Sequence, residues 1–357
     1  MSNNYGLILA GGRGTRFWPR SRRAQAKQVL KFFGERSLIQ QTVDRLKFSI
    51  PPERIWILTN DHLRAEIIKQ LPEVPKHQIL AEPAQRNTAP AIALAAQIIQ
   101  SIDKGSLLGV FPSDHVIGKP REYGKLLGPA FRAAKAGDIV VLGIKPRWAE
   151  TGYGYIEFPQ GEQVKNNRAV PITRFREKPD ARTAEEFVAA GNFYWNAGMF
   201  FFKTSVLLDA MREFQPQTAG LLASLPRFGT RGFATKLKTV FPKCQDISID
   251  FAVLERAKNV AGIEVKDIGW NDVGSWNAVY ELHPRDPSGN NVRPLTLLED
   301  SHGNYVDAGG KLVALIGVKD LIIVDTPDAL LIADRKDAQK VGDLVKRLEK
   351  EGHHHLL

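Results

Sequence analysis

Short apolar runs alternate with segments of helical periodicity over the first part of the chain. The apolar runs predict strands at residues 6–10, 55–59, 79–81 and 107–112, and the periodic segments predict helices near 37–46, 63–70 and 89–102. Alternating strands and helices favour an α/β fold with a mostly parallel, doubly wound sheet. Right-handed crossovers then bring the loops after the strands to one crevice, where such sheets bind ligands. Functional motifs are therefore expected in these loops.

The pattern changes at about residue 285. Before it, further strands are predicted at 139–144, 155–157, 172–177 and 199–202, with helices near 184–190 and 205–212. After it, a turn-rich linker at 286–291 precedes short predicted strands at 295–298, 303–307, 312–316, 321–326 and 329–333 and one helix at 336–350. We therefore predict an α/β domain over residues 1–285 and a small β-rich, β-helix-like module over residues 286–357. The final residues, which include three histidines, are expected to be a frayed end with no metal role.

The charge balance favours anionic partners. Lys and Arg number 49 against 39 Asp and Glu, which gives a net charge of +10. One basic cluster follows the first predicted strand and contains Arg13, Arg16, Arg20, Arg22, Arg23, Lys27 and Lys31. No nucleic-acid-binding motif accompanies the cluster, so we predict no nucleic-acid partner. A phosphorylated small molecule explains such a cluster equally well.

The apolar stretches and the cysteine content limit where the chain can function. No apolar stretch approaches the roughly 20 residues that a membrane-spanning helix needs. We therefore predict no membrane association. The single cysteine, Cys244, cannot form an internal disulfide, which is compatible with a reducing cytoplasm. We predict a cytoplasmic protein.

A glycine-rich loop follows the first predicted strand. Gly11, Gly12 and Gly14 let backbone N–H groups close around phosphate oxygens, and Arg13 and Arg16 supply positive charge. The loop is not a P-loop, because no Gly-Lys-Ser/Thr follows. It is also a poor dinucleotide fingerprint, since Phe17 stands where the third glycine belongs. Taken alone, the loop is explained as well by a tight turn.

The continuation of this loop carries a family resemblance. Residues 11–28, Gly-Gly-Arg-Gly-Thr-Arg-Phe-Trp-Pro-Arg-Ser-Arg-Arg-Ala-Gln-Ala-Lys-Gln, resemble the signature of the sugar-nucleotide pyrophosphorylases, and the Trp-Pro-x-Ser-Arg run is typical of their guanylyltransferase branch. The family usually has proline where this chain has Ala26, and Lys27 follows as in the family. Six more segments match in order, at 82–90, 111–115, 151–157, 175–179, 195–199 and 269–276. The resemblance covers residues 5 to about 335.

This resemblance implies a Rossmann-like nucleotidyltransferase fold and a specific reaction. It implies transfer of GMP from GTP to α-D-mannose 1-phosphate with Mg²⁺, giving GDP-mannose and pyrophosphate by attack on the α-phosphorus. It also implies a homodimer in which the C-terminal module is the oligomerisation element. One alternative is a related enzyme with another hexose 1-phosphate or nucleotide. The other is an inactive nucleotide-sugar-binding regulatory subunit, which could dispense with Lys27, Asp114 and Asp272, yet all three are present.

The resemblance also assigns site residues. The triphosphate would be bound by Gly11, Gly12 and Gly14, with Arg13, Thr15 and Arg16 on its oxygens and Lys27 on the α-phosphate or the leaving pyrophosphate. The base would be bound by Glu82, Asn87 and Thr88. The sugar phosphate would be bound by Gly152, Gly154, Glu177, Lys178 and Asn196. Asn87 and Thr88 are explained equally well as the cap of the helix near 89–102, and an isolated Glu-Lys pair such as 177–178 is commonly a solvated strand end.

Asp114 and Asp272 are the predicted metal ligands. Each follows an apolar run, and two carboxylates with phosphate oxygens and waters suit the coordination that Mg²⁺ prefers. Each aspartate alone is explained as well by a helix cap or a turn, and the resemblance favours the metal role. Because Mg²⁺ prefers oxygen, we predict that His115 is a hydrogen-bonding residue and not a ligand. The tryptophans Trp18, Trp195, Trp270 and Trp276 are predicted to be packing residues.

Overall fold

The computed structural model describes residues 3–161, 167–292 and 295–357. Its strands are β1 (Asn4–Leu9), β2 (Ile55–Asn60), β3 (Ile79–Glu82), β4 (Leu107–Pro112), β5 (Val116–Ile117), β6 (Ile139–Ile144), β7 (Tyr155–Glu157), β8 (Val170–Pro171), β9 (Arg174–Arg176), β10 (Phe193–Lys203), β11 (Val260–Val265), β12 (Trp270–Asn271), β13 (Thr296–Glu299), β14 (Tyr305–Ala308), β15 (Val313–Ile316), β16 (Leu321–Asp325) and β17 (Leu330–Asp334). Its α-helices are α1 (Leu38–Leu46), α2 (Asp61–Gln70), α3 (Thr88–Ile102), α4 (Pro120–Ala136), α5 (Ala181–Ala190), α6 (Thr204–Phe214), α7 (Pro216–Ala223), α8 (Phe233–Val240), α9 (Trp276–Leu282) and α10 (Val341–Lys350).

One twisted sheet forms the centre of the α/β part, in the order β3-β2-β1-β4-β10-β6-β11-β8. Strands β1, β2, β3 and β4 are parallel, and β6 is parallel to β11. Strand β10 lies between β4 and β6 and is antiparallel to both. The predicted mostly parallel, doubly wound sheet is confirmed. The order reverses between β1 and β4, so the loops after these two strands border the ligand crevice of the sheet.

Helices cover both faces of this sheet because successive strand residues point to opposite sides. On β1, Leu7 belongs to the core with α3 and α6, whereas Ile8 belongs to the core with α1, α2 and α4. Both side chains are fully buried. Burial on both faces explains why the strands are continuous apolar runs rather than alternating ones. In the part of the chain that the structure describes, no helix has the length and apolar character needed to cross a membrane.

Some elements differ from the sequence predictions. The predictions lack α4 because Gly124, Gly128 and Pro129 are poor helix formers, yet Leu127 and Phe131 anchor this helix in the core. The sequence predictions also lack β11. This short apolar strand pairs with β6, which lies more than a hundred residues earlier in the sequence. The strand predicted at 172–177 is wrong in extent, since β8 and β9 are separate short strands. The predicted C-terminal helix begins as a 3₁₀ turn, Arg335–Lys340, before α10.

The C-terminal module has β-helix-like pairing. Strand β13 is parallel to β15, and β14 is parallel to β16, so each strand pairs with the next but one along the chain. Strand β17 closes the group antiparallel to β16. The end of the chain is also anchored, because the Trp18 indole Nε1 donates to the Leu356 carbonyl at 2.9 Å. The prediction that the chain ends in a frayed segment is therefore wrong.

The module packs on the loop that follows β1. Phe17 and Trp276 are fully buried together, with ring centroids 5.5 Å apart, and Tyr305 of β14 lies 5.7 Å from the Trp276 ring. Val341 and Val345 of α10 belong to the same core cluster. The signature loop therefore shares a hydrophobic core with the C-terminal module.

Candidate active site

The glycine-rich loop between β1 and Lys27 is held by side chains that bond its backbone carbonyls. Gln28 Nε2 donates to the carbonyls of Ala10 and Gly12 at 2.7 and 3.0 Å. Ser21 Oγ donates to the Gly14 carbonyl at 2.8 Å. These three hydrogen bonds stabilise the backbone of the loop without a ligand.

Gly14 brings the loop against Lys27. Its φ of 62° lies in the left-handed region that favours glycine. A Cβ at this position would lie 2.7 Å from both the Lys27 Cβ and the Lys27 backbone nitrogen. A glycine is therefore required here for Lys27 to pack directly behind the loop.

Lys27 connects the predicted metal ligands. Its side chain is only 7% exposed, and Nζ donates to Asp114 Oδ2 at 2.9 Å and to the Asp272 carbonyl at 2.6 Å. Asp114 follows the end of β4, and Asp272 follows the end of β12. Strands β5 and β12 pair with each other, Asn271 opposite Val116, so two segments far apart in sequence meet beside Lys27. The structure thus brings together the three residues on which the predicted phosphate chemistry depends.

Burial and neighbouring charges shift the pKa values of Asp114 and His115, which lie beside Lys27. Burial works to raise the pKa of Asp114, but the charge and hydrogen bond of Lys27, together with His115 and a backbone hydrogen bond, offset it and hold that pKa below its usual range. Burial lowers the pKa of His115 to about 4, against the opposing pull of Asp114 and Asp272. His115 is therefore neutral at pH 7, and its Nδ1 accepts a hydrogen bond from the Trp270 indole at 3.2 Å. The predicted hydrogen-bonding character of His115 agrees with this contact.

Tyr153 is a site residue that the sequence reasoning missed. Its hydroxyl donates to Asp272 Oδ1 at 2.6 Å, and burial followed by the charge of Asp272 raises the pKa of Tyr153. Tyr153 lies within the 151–157 segment that carries the resemblance, so its segment was identified although its contact was not. The bond fixes one carboxylate oxygen of Asp272.

The donor set fits a hard divalent cation. Asp114 and Asp272 offer carboxylate oxygens, the ligand type that Mg²⁺ prefers. Within residues 3–161, 167–292 and 295–357, no three His, Cys, Asp or Glu side chains are grouped as a complete metal cage. Mg²⁺ in nucleotide sites is bound by one or two carboxylates with substrate phosphates and waters, so a pair of aspartates suffices.

A cleft of about 440 Å³ lies beside the loop and contains the residues predicted for the base. Its lining includes Gly11, Gly12, Gln28, Glu82, Gln85, Asn87, Thr88, Asp114 and Asp246. Burial raises the pKa of Glu82 to about 8, so this carboxyl is mostly neutral at pH 7. Because β3 ends at Glu82, its side chain reaches the same crevice as the glycine loop.

Asn87 and Thr88 line this cleft and also begin α3. Asn87 has a φ of 61°, and its side chain accepts from the Thr88 N–H at 2.9 Å. Thr88 Oγ1 accepts from the Ile249 N–H at 2.8 Å. Asn87 therefore caps α3, as the sequence suggested, and Asn87 and Thr88 also line the cleft.

The loop arginines face the C-terminal module. Arg13 Nη2 lies 3.3 Å from Glu349 Oε1, in a neighbouring cavity of about 400 Å³ that Glu82 also lines. Arg16 Nη1 donates to Gln339 Oε1 at 2.9 Å. Thr15 begins the short 3₁₀ turn that packs beside α10. These residues, predicted to bind triphosphate oxygens, are thus held by the module in the free protein.

Residues predicted for the sugar phosphate form a second group. Asn196 lies on β10, and Glu177 follows β9 and forms an ion pair with Lys178 at 3.0 Å. A Cβ on Gly154 would lie 2.5 Å from Glu177 Oε2, so the lack of a side chain at 154 lets the Glu177 carboxylate approach the backbone here. Gly152 is placed elsewhere, in a cavity of about 630 Å³ that Arg16 and Asp272 also line.

The chain matches two protein-family models. Residues 5–289 match the nucleotidyl transferase family, and residues 297–348 match the MannoseP isomerase/GMP-like β-helix domain. Among solved structures, a protein described as mannose-1-phosphate geranyltransferase from Thermus thermophilus is 31% identical, with a TM-score of 0.85 over 97% of this chain and 99% of that chain.

Curated relatives agree with the family models. The alginate biosynthesis protein AlgA of Pseudomonas aeruginosa is 38% identical over 97% of this chain and 72% of its own length. A mannose-1-phosphate guanylyltransferase of Klebsiella pneumoniae is 36% identical over 96% of this chain and 74% of its own length. These matches confirm the resemblance on which the sequence interpretation rests, and the chain belongs to the nucleotidyl transferase family.

Proposed function

We propose that this enzyme transfers GMP from GTP to α-D-mannose 1-phosphate, forming GDP-mannose and releasing pyrophosphate. The observation that carries the proposal is the contact of the buried Lys27 ammonium with both Asp114 and Asp272, beside the glycine loop. The relatives named mannose-1-phosphate guanylyltransferase support the choice of nucleotide and sugar. Relatives named for alginate and xanthan biosynthesis support polysaccharide formation as the use of the product.

The reaction needs positioning and charge neutralisation rather than a general base. The sugar phosphate oxygen is already an anion when it attacks the α-phosphorus. Two polyanions must be held in line despite their mutual repulsion, and cations and backbone N–H groups supply this. Lys27 would meet the α-phosphate or the leaving pyrophosphate, and Arg16, which lines the same cavity as Asp272, would add positive charge. The glycine loop, stabilised by Gln28 and Ser21, would supply backbone N–H donors.

Asp114 and Asp272 would hold Mg²⁺. When bound, the ion neutralises phosphate charge and orients the triphosphate. Tyr153 fixes the Asp272 carboxylate for this role.

The remaining site residues divide between the substrates. Gly11, Gly12, Gly14, Arg13 and Thr15 would bind the triphosphate, Glu82, Asn87 and Thr88 the guanine, and Gly152, Gly154, Glu177, Lys178 and Asn196 the mannose 1-phosphate. Support for the guanine assignment comes from the cleft beside the loop, which Glu82, Asn87 and Thr88 line.

Pyrophosphate release by the purified protein tests the proposal. GTP, ATP, UTP and dTTP are each combined with mannose 1-phosphate and with glucose 1-phosphate, with and without Mg²⁺. We expect GTP with mannose 1-phosphate to dominate, to need Mg²⁺, and to be abolished in folded Asp114→Asn and Asp272→Asn. Dominance of another pair would identify a related nucleotidyltransferase. Binding of nucleotide sugars without turnover of any pair would identify a regulatory subunit.

We also propose a division into a catalytic part, 1–285, and a module, 286–357, that pairs two copies of the chain. Apolar side chains on the module strands are exposed, among them Leu297, Ile316, Leu330 and Ile332. Such a surface favours association. Sedimentation of the wild type should give a dimer of 39.7 kDa chains, and Leu330→Asp with Ile332→Asp should give a monomer. A wild-type monomer would contradict the pairing.

The buried, free Cys244 supports a reducing cytoplasm as the location.

A further inference from the structure

Three polar side chains from different elements meet beside Gly154. Glu177 follows β9, Asn196 lies on β10, and Asp250 begins a π-helical turn, Asp250–Leu254, more than fifty residues further along the chain. We call these three the Glu177–Asn196–Asp250 cluster. Asp250 has no role in the family resemblance stated above, and its neighbours in sequence are Ile249 and Phe251.

Glu177 presents an unused acceptor inside the protein. Its side chain is only 7% exposed, and Oε1 is paired with Lys178 Nζ at 3.0 Å. Oε2 is buried and has no hydrogen-bond partner within the described residues. Burying a carboxylate oxygen without a partner is unfavourable, so this oxygen is an acceptor available to a hydrogen-bond donor that enters the site.

Asn196 is fixed by bonds at both ends of its amide. Nδ2 donates to Asp250 Oδ1 at 3.0 Å, and Oδ1 accepts from the Gly198 N–H at 3.1 Å. Asn196 therefore determines where the Asp250 carboxyl lies.

Asp250 adds a group that can donate as well as accept. Burial, followed by the nearby charge of Glu177, raises the pKa of Asp250 to about 7. The cluster therefore combines an acceptor oxygen of Glu177 with a carboxyl at Asp250 that carries a proton part of the time near pH 7. A sugar hydroxyl, which both donates and accepts, satisfies such a pair.

We propose that Asp250 binds a hydroxyl of the hexose 1-phosphate and, with Glu177, determines which sugar is accepted. This inference rests on the proposed function and adds a specificity-determining residue to it. Epimeric hexoses differ by one hydroxyl. A site built to bond that hydroxyl rejects the wrong epimer because its own buried polar groups are left unpaired.

Asp250→Asn tests the proposal with the least disturbance, because the amide oxygen can still accept from Asn196. We expect KM for mannose 1-phosphate to rise by about tenfold or more, because the amide oxygen remains bonded to Asn196 and the NH2 group only donates, so the acceptor for the sugar hydroxyl is lost. KM for GTP should change by less than about twofold, and selectivity for mannose 1-phosphate over glucose 1-phosphate should fall. The matched control is Asp209→Asn, an exposed aspartate on α6 that pairs with Arg212 and should behave as wild type.

Two outcomes would overturn the proposal in an active wild type. One is an unchanged KM and an unchanged selectivity in folded Asp250→Asn. The other is an equal rise in both KM values with a lower Tm, which would show a structural role for Asp250.

Failure of the proposed function is distinguished by binding measured without turnover. If the wild type turns over no substrate pair, calorimetry with GDP-mannose and with GTP replaces kinetics. Weaker GDP-mannose binding by Asp250→Asn with unchanged GTP binding would support the cluster as a sugar site. Equal binding of GDP-mannose by both proteins would overturn it.

Discussion

The Lys27 ammonium is buried between the Asp114 carboxylate and the Asp272 carbonyl, at the meeting point of three chain segments. A cation enclosed in this way acts more strongly on a developing charge than one in water. For Lys27→Ala we therefore expect kcat for pyrophosphate release to fall by about 100-fold or more. Lys31→Ala is the control, since Lys31 is exposed and pairs only with Glu35 in the described structure. A kcat for Lys27→Ala near that of the control would exclude Lys27 from the reaction.

Glu82 gives the site a pH dependence. Burial raises its pKa to about 8, so the neutral carboxyl predominates below that pH in the free protein. Guanine presents two N–H donors, and the two oxygens of a carboxylate accept both, whereas a neutral carboxyl accepts at one oxygen and carries a proton on the other. GTP binding below pH 8 therefore requires loss of a proton, and KM for GTP should fall by about eightfold between pH 7 and pH 8.5. In Glu82→Gln, KM for GTP should be higher and flat over this range. A flat profile in the wild type would remove Glu82 from the base site.

Some residues of this site are predictable from sequence and others are not. Lys27, Asp114 and Asp272 lie in segments with a recognisable pattern, and the structure brings them into contact. Asp250 has no such local signal, because only the fold places it beside Asn196. A contact between residues this distant in sequence depends on packing of the whole sheet.

The backbone at Ala26, the position where the family usually has proline, already has a conformation that suits a proline ring. Ala26 has a φ of −69°, the value that a proline ring imposes, and its N–H is not a donor in any hydrogen bond of the described structure. Ala26→Pro should therefore be accommodated and should stabilise the fold by about 0.4–1 kcal/mol through the unfolded state. Thermal unfolding would show a small rise in Tm with kcat unchanged. A lower Tm would mean that the buried site at 26 cannot accept the proline ring.

The strands of the central sheet were predictable where their apolar runs are bounded by turns, as in β1, β2 and β4. Helix α4 was not, since its glycines and Pro129 conceal a helix that tertiary packing stabilises through Leu127 and Phe131. Strand order was also beyond the sequence. The insertion of β10 between β4 and β6 is set by pairing between distant segments.

At the scale of the whole molecule, the C-terminal module contacts the candidate active site directly. Glu349 of α10 accepts from Arg13 and Arg23 at 3.3 and 2.9 Å, and Arg20 and Arg22 pair with Asp307 and Asp328. The sequence suggested only an oligomerisation role for this module. The contacts show that it also positions the basic segment of the signature loop.

Glu349 occupies arginines that the triphosphate would use. Because these ion pairs are exposed, each is weak, and displacing them should weaken GTP binding only modestly. In Glu349→Gln we expect KM for GTP to fall by about twofold. The matched control is Glu351→Gln, whose carboxylate pairs with Arg347 within the same helical segment. A higher KM for GTP in Glu349→Gln would show that this carboxylate assists binding instead of competing with it.

The most direct test of guanylyl transfer at this site is ³¹P NMR of purified protein with GTP, mannose 1-phosphate and Mg²⁺. We expect GDP-mannose and pyrophosphate to appear in equal amounts as both substrates disappear, and to appear about 100-fold or more slowly with Lys27→Ala. Release of pyrophosphate with GMP and unchanged mannose 1-phosphate, or no consumption of GTP by the wild type, would contradict the proposed function.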